Sequence, residues 1–285
     1  MIKGARRVKD LIRNKAKGDS GKAQLLLRHF AMERFLERVS ISQYKDKLIL
    51  KGGMLMASLV GIDNRSTMDI DTTLKGAPLN VDDVVSMVQD IADVEIDDDM
   101  TFSVKEGEEI MEDSEYGGVR VSLFAHMERT VIPMKIDVST GDAITPEETL
   151  HGYKLMFEER TIDIWAYPIE TVLSEKMETA LVRGVVNTRM RDYYDIYMLL
   201  ESERDIDLET LRAAISATAA MRGHDVGKEN YSGILSDIEN NSVMAERWNS
   251  YANSHEYSDS IEWKRVLGAL RALCDACWNE PTEHF

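Results

Sequence analysis

An α+β fold is expected from this chain of 285 residues: a mixed sheet with flanking helices, followed by a C-terminal helical domain. Three observations predict it. Short apolar or alternating runs that read as strands fall between residues 48 and 166. Stretches of helical period lie before and among them. From Ile169 onward the pattern is helical to the end.

Taken in order, residues 2–17 and 21–39 read as helices. In the second, Leu25, Leu26, Phe30, Met32, Phe35, Leu36 and Val39 recur at helical spacing, and Ser20 is a plausible N-cap. Leu48, Ile49 and Leu50 form a short strand, which Gly52 and Gly53 end before a helix that runs to about Val60. Residues 61–66 read as a loop, 68–74 as a second strand and 81–94 as a helix. Strands follow at 100–106, 119–126, 132–138 and 162–166, with alternation clearest in Val119, Val121 and Leu123 and in Met134, Ile136 and Val138. Helices are then expected over 169–183, 189–200 and 207–222, with two or three more beyond. These readings divide the chain into a basic N-terminal helical segment (1–44), an α/β core (45–168) and a helical domain (169–285).

Composition narrows the class. Hydrophobic residues make up 44% and charged residues 30% of the chain, ordinary for a soluble globular protein. No run of about 18 apolar residues occurs, so no membrane association is expected. The N-terminus is basic but lacks the apolar core of a signal peptide, so a cytoplasmic location is expected. The net charge of −17 argues against a general nucleic-acid binder. That average hides an asymmetry: residues 1–51 carry a balance of +9 and the remainder −26. The basic segment either offers polyanions a docking face or pairs with the acidic body. Residues 82–115 hold 14 acidic residues and one lysine, Lys105, which reads as a solvated surface. Cys274 and Cys277 form a lone C-x-x-C in an amphipathic helix, with neither the ligand set of a zinc site nor the βαβ context of a redox pair.

The chemistry concentrates between Lys51 and Leu74. Asp69 and Asp71, at i and i+2 of a strand, project from one face, and Asp137 joins them if its strand is a neighbour. Two or three carboxylates held together suit Mg²⁺ or Mn²⁺, hard cations that also take phosphate oxygens. Gly52 and Gly53 stand between a strand and a helix, where backbone N–H groups and the helix N-terminus attract phosphate; the plainer alternative is a tight turn. Lys51, Arg65 and Ser66 flank these elements and complete a candidate nucleoside-triphosphate site. A second cluster, Lys176 with Asp192 and Asp195, reads from the residues alone as an inter-helix salt-bridge set, which could also pre-position a lysine for phosphate.

Five segments carry a resemblance. They are Leu50 to Gly53, Arg65 to Asp71, Lys135-Ile136-Asp137, Glu175-Lys176, and Arg191-Asp192 with Asp195-Ile196-Tyr197. In order and spacing, over roughly residues 20–200, the chain resembles the AbiEii/AbiGii toxin family of the polymerase-β-like nucleotidyltransferase superfamily. The resemblance implies a polymerase-β-like nucleotidyltransferase core that transfers NMP from an NTP, with release of pyrophosphate, to an RNA acceptor such as the tRNA 3′ end. It implies a toxin–antitoxin (abortive-infection) context and a cognate winged-helix antitoxin. On that analogy Asp69 and Asp71 are the catalytic metal ligands, and Gly53 and Ser66 belong to triphosphate binding; Asp137 as third metal ligand, and Lys51, Gly52 and Arg65 in nucleotide binding, come from the residues themselves. Lys176 contacts the triphosphate, and Asp192 or Asp195 is a further catalytic acid. The alternatives are NMP transfer to a protein side chain, either the antitoxin's or its own, and a nucleotide-binding module without chemistry. Nothing beyond residue 200 carries the resemblance, and the acidity of 82–115 is unexpected for a tRNA binder.

Overall fold

The computed structural model describes residues 1–111 and 117–279, so the last part of the acidic run (112–116) lies outside the described residues, as does 280–285. Contacts divide the chain into two compact units: Met1–Asp142 with Glu148–Tyr167, and Ala143–Glu147 with Pro168–Phe285. The fold class is as expected, mixed α/β with a helical C-terminal region.

The first unit begins with α1 (Ala5–Ala16) and α2 (Ser20–Ile41). The cap of α2 is Asp19, one residue before the expected Ser20, and its carboxylate accepts from the Lys22 N–H. Helix α2 is buried continuously from His29 to Val39, because charged partners cover the side that its apolar residues leave open. Arg38 makes a two-pronged contact to Asp98, Arg34 reaches Glu158, and Glu37 accepts from Arg160. Buried pairs of this kind are tolerated only when both partners are present and hydrogen-bonded.

Strand β1 (Leu48–Lys51) runs into α3 (Gly52–Val60), and β2 (Ile70–Leu74) returns antiparallel to it. Helix α4 (Val81–Ala92) is capped by Asn80 and carries Asp82 and Asp83 in its first turn, where the helix dipole favours acids. Then come β3 (Thr101–Met111), β4 (Gly117–Met127), β5 (Thr130–Ser139), β6 (Thr149–Lys154) and β7 (Thr161–Ala166). The strands form one seven-stranded mixed sheet in the order β3-β4-β5-β2-β1-β7-β6, with β2–β5 and β1–β7 parallel. One face, with Ile70, Val119, Val121, Leu123, Met134 and Ile136, is buried under α2 and α4. The other carries the polar half of the alternation.

Two strands depart from the expectation. Strand β3 runs to Met111 instead of 106, and a bulge between Val104 and Glu106 breaks the period of two that would have marked it. Strand β6 was not expected at all. It is an edge strand with one fully buried side chain, Tyr153, so it lacks an apolar alternation.

The second unit consists of α5 (Ile169–Arg183), α6 (Met190–Glu201), α7 (Leu208–Met221), α8 (Tyr231–Glu239), α9 (Ser242–Asn253) and α10 (Trp263–Trp278), with a 3₁₀ turn at Gly184–Val186. Its core includes Trp248, Tyr193 and Tyr194. Cys274 and Cys277 are free and buried in α10, and burial pushes the Cys277 thiol up to about 11, so neither is poised as a thiolate. No helix among the described residues is long and apolar enough to cross a membrane.

Candidate active site

A row of charged residues crosses five strands on the open sheet face. The register places Lys51 opposite Asp71, Asp71 opposite Asp137, Asp137 opposite Arg120 and Arg120 opposite Glu108. Side chains directly opposite in neighbouring strands share a face. Asp71 and Asp137 are thus brought together at the centre of the sheet by the parallel pairing of β2 and β5.

Asp69 joins them by a different route from the one expected. It precedes β2 instead of lying within it, so strand alternation does not aim its side chain. The buried Thr67 hydroxyl does so, donating to the Asp69 carboxylate at 2.9 Å. One carboxylate oxygen from each of Asp69, Asp71 and Asp137 lies within 4.8 Å of the others. Burial, and next the charges of Asp69 and Asp137, push Asp71 up to about 6 against the opposing pull of the Gly53 N–H and Lys51. A bound divalent cation would relieve that repulsion, and three carboxylates are the hard oxygen donors Mg²⁺ or Mn²⁺ prefer. The residues fit such an ion.

The two glycines are needed for close approach. Gly52 has a φ of +60°, and a Cβ there would overlap the Asp71 carboxylate. A Cβ at Gly53 would overlap Thr67. The Gly53 N–H donates to Asp71 at 3.0 Å, so the N-terminus of α3 is directed at the carboxylates.

Of the remaining expected nucleotide-site residues, Lys51 is buried. Its ammonium donates to Ser139 at 2.6 Å and to Asp142 at 2.8 Å. Asp142 also accepts from Thr73 and Tyr167. Burial opposes its ionisation, but Lys51 and the hydroxyls outweigh burial and hold Asp142 at about 2. Arg65 is 3% exposed and braces the loop by donating to the Ser66 carbonyl; Ser66 is half-buried.

Thr67, Arg120 and Asp142 were missed by sequence reasoning. Arg120 grips Asp137 with two hydrogen bonds of 2.8 and 2.6 Å. Its signal was present in the alternation of β4, which puts an arginine where the other polar positions are Ser122 and His126.

In the second unit, Lys176, Asp192 and Asp195 come together as well. The Lys176 ammonium lies 2.9 Å from Asp192 and 2.8 Å from Asp195, and Arg189 contacts Asp192 at 2.7 Å. Burial opposes the charge on Lys176, but the two carboxylates outweigh it and raise its pKa. Burial likewise opposes Asp192, which Lys176 and Arg189 bring below the usual range.

Five cations of the basic N-terminal segment are paired with acids of the first unit. Lys3 pairs with Asp97, Lys15 and Lys22 with Asp63, Arg34 with Glu158 and Arg38 with Asp98. Part of the acidic run is therefore a set of counter-charges, and Asp98 is buried.

A mixed sheet with an acidic trio at its centre and a helix N-terminus aimed at it defines a nucleotidyltransferase-type fold. The profile of the family described as nucleotidyl transferase AbiEii toxin, Type IV TA system, matches residues 34–269, and the chain belongs to that family. A family of this kind implies a nucleotide substrate and an antitoxin partner. Several solved structures share the fold, among them the following. A Helicobacter pylori protein described as a candidate nucleotidyltransferase is 14% identical with a TM-score of 0.51, covering 92% of this chain and 99% of that one. JHP933 from Helicobacter pylori is 14% identical with a TM-score of 0.50, covering 89% and 93%. No curated protein matches the chain.

Proposed function

We propose that the protein transfers NMP from an NTP to an RNA acceptor, with the tRNA 3′ end as the first candidate. The observation that carries this is the trio Asp69, Asp71 and Asp137 beside the N-terminus of α3, in a chain of this toxin family. In the reaction an acceptor hydroxyl oxygen bonds to the α-phosphorus, the bond from that phosphorus to the β-phosphate bridging oxygen breaks, and pyrophosphate leaves. The hydroxyl proton passes to a carboxylate of the trio or to water.

Asp69, Asp71 and Asp137 would hold Mg²⁺ or Mn²⁺, which would neutralise phosphate charge when bound. The chain's own part is positional. The N-terminus of α3, which Gly52 and Gly53 allow to pack against the carboxylates, orients the triphosphate by its positive potential. Thr67 fixes Asp69, and Arg120 fixes Asp137. Lys51, opposite Asp71 in the register and paired with Asp142, adds positive charge beside the trio, and Arg65 holds the loop that presents Ser66. Lys176 contacts the triphosphate on the family analogy, pre-positioned by Asp192 and Asp195, one of which is the further acid. The partner antitoxin is a winged-helix regulator on the same analogy.

Incubation with each of the four α-labelled NTPs, Mg²⁺ and total tRNA is the test. Labelled RNA with at least one NTP is expected. Labelled protein without labelled RNA moves the acceptor to a protein side chain, and no label in either overturns the reading.

A further inference from the structure

We infer that the acceptor's 3′-terminal nucleotides lie in the cleft on the β4–β5 face, with Phe124 as stacking platform and Arg28, Lys105 and Lys135 as phosphate contacts. This rests on the RNA-transfer reading above and says where that RNA binds.

The cleft has a volume of about 550 Å³ and reaches the trio through Asp69 and Arg120, both in its lining. Four cations line it, Arg28, Lys105, Arg120 and Lys135, against the single acid Asp69. Arg120 is paired with Asp137, and Lys105 with Glu106 at 3.1 Å, so the cleft's net positive potential comes chiefly from Arg28 and Lys135, in a chain of net charge −17. Lys135 is exposed and has no hydrogen-bond or ion-pair partner among the described residues. The bulge in β3 adds Lys105 to the lining, a use of bulges that recurs beside active sites. Arg28 is the one cation of the N-terminal basic segment in the lining, anchored by donating to the Pro133 carbonyl at 3.1 Å.

Charge alone would suit any polyanion. Phe124, Pro133 and the exposed Met68 add apolar surface between the cations, and alternation of cations with a stackable ring is the pattern that holds single-stranded nucleic acid.

Position gives the cleft its end of the substrate. Attacking and leaving oxygens stand roughly in line through phosphorus. In the sheet order, β1 and α3 lie on one side of β2, and β5 and β4 on the other. A triphosphate at the α3 N-terminus sends pyrophosphate toward β1, so the attacking hydroxyl enters from β5 and β4, where the cleft is. The docking face is then this cleft and not the N-terminal segment as a whole, several of whose cations, Lys3, Lys15, Lys22, Arg34 and Arg38, are paired within the first unit.

The test uses the full chain and a 5′-fluorescein-labelled 12-nucleotide single-stranded RNA, read by anisotropy across a salt series. Lys135→Ala should reduce the slope of log Kd against log salt by about one, and Phe124→Ala should weaken binding about tenfold, with NTP affinity unchanged in both. Thermal melts confirm that both variants fold. Lys135→Glu, at an exposed position, serves as the second variant and should weaken RNA binding further still. Unchanged RNA affinity in all three variants, while wild type still labels RNA, overturns the cleft and leaves the transfer reading intact. A wild type that binds no RNA and labels only protein overturns both.

Discussion

Two clusters of buried charge stand in contrast. In the helical unit, Lys176 sits between Asp192 and Asp195, with Arg189 on the far side of Asp192, and positive and negative groups compensate one another. On the sheet, Asp69, Asp71 and Asp137 converge with neutral donors, the Thr67 hydroxyl and the Gly53 N–H, on two of them; among the described residues the one cation in direct contact is Arg120, on Asp137. The pKa shifts follow. Asp192 lies below the usual carboxylate range, whereas Asp71 is pushed up to about 6. A cluster that satisfies itself needs no ligand to be stable. One that strains against its own charge would be relieved by a bound cation, and that asymmetry supports the proposal that the chemistry lies on the sheet.

The largest expected effect tests the compensated cluster. Lys176→Met removes the cation that two buried carboxylates share and should cost about 3–5 kcal/mol in stability, read by chemical denaturation. Adding Asp192→Asn and Asp195→Asn should recover most of that loss. If the triple variant also recovers transfer, the cluster is scaffold only; recovered stability without transfer gives Lys176 a part in binding triphosphate.

A smaller effect of opposite sign is expected on the sheet. Asp71 titrates near 6 when folded and near 3.8 when unfolded, so its contribution favours the folded state fully below about pH 4. That contribution is lost as pH rises through 6. Asp71→Asn should therefore melt higher than cation-free wild type at pH 7, and the gap should close at pH 4. The same variant should lose more than about a hundredfold in transfer, beyond what losing a supporting residue of a metal site costs. A variant that melts lower than wild type at pH 7 would mean the trio is not strained.

Much of this was legible before the structure. The acids Asp71 and Asp137 are readable because each follows an apolar residue in a strand, with clear alternation in Asp137's strand, and parallel pairing sets them side by side. Asp69 was readable as a residue but not in its geometry, since a Thr67 hydrogen bond and not the strand aims it. Lys51 stands among the expected nucleotide-binding residues because it flanks Gly52 and Gly53. Its burial against Asp142 depends on a partner 91 residues away, which local pattern does not reveal. The same holds for Arg120 and Asp137, joined only by the β4–β5 register. Strand β6 stayed hidden because an edge strand with one buried residue has no period to detect.

The central claim is that the three sheet carboxylates together hold a divalent cation. Mn²⁺ binding, followed by loss of the free-ion EPR signal in the presence of a non-hydrolysable NTP analogue, tests it most directly. Wild type should bind Mn²⁺, and Asp69→Asn with Asp71→Asn should abolish that binding while the protein remains folded. Equal Mn²⁺ binding by the double variant and wild type would contradict the account.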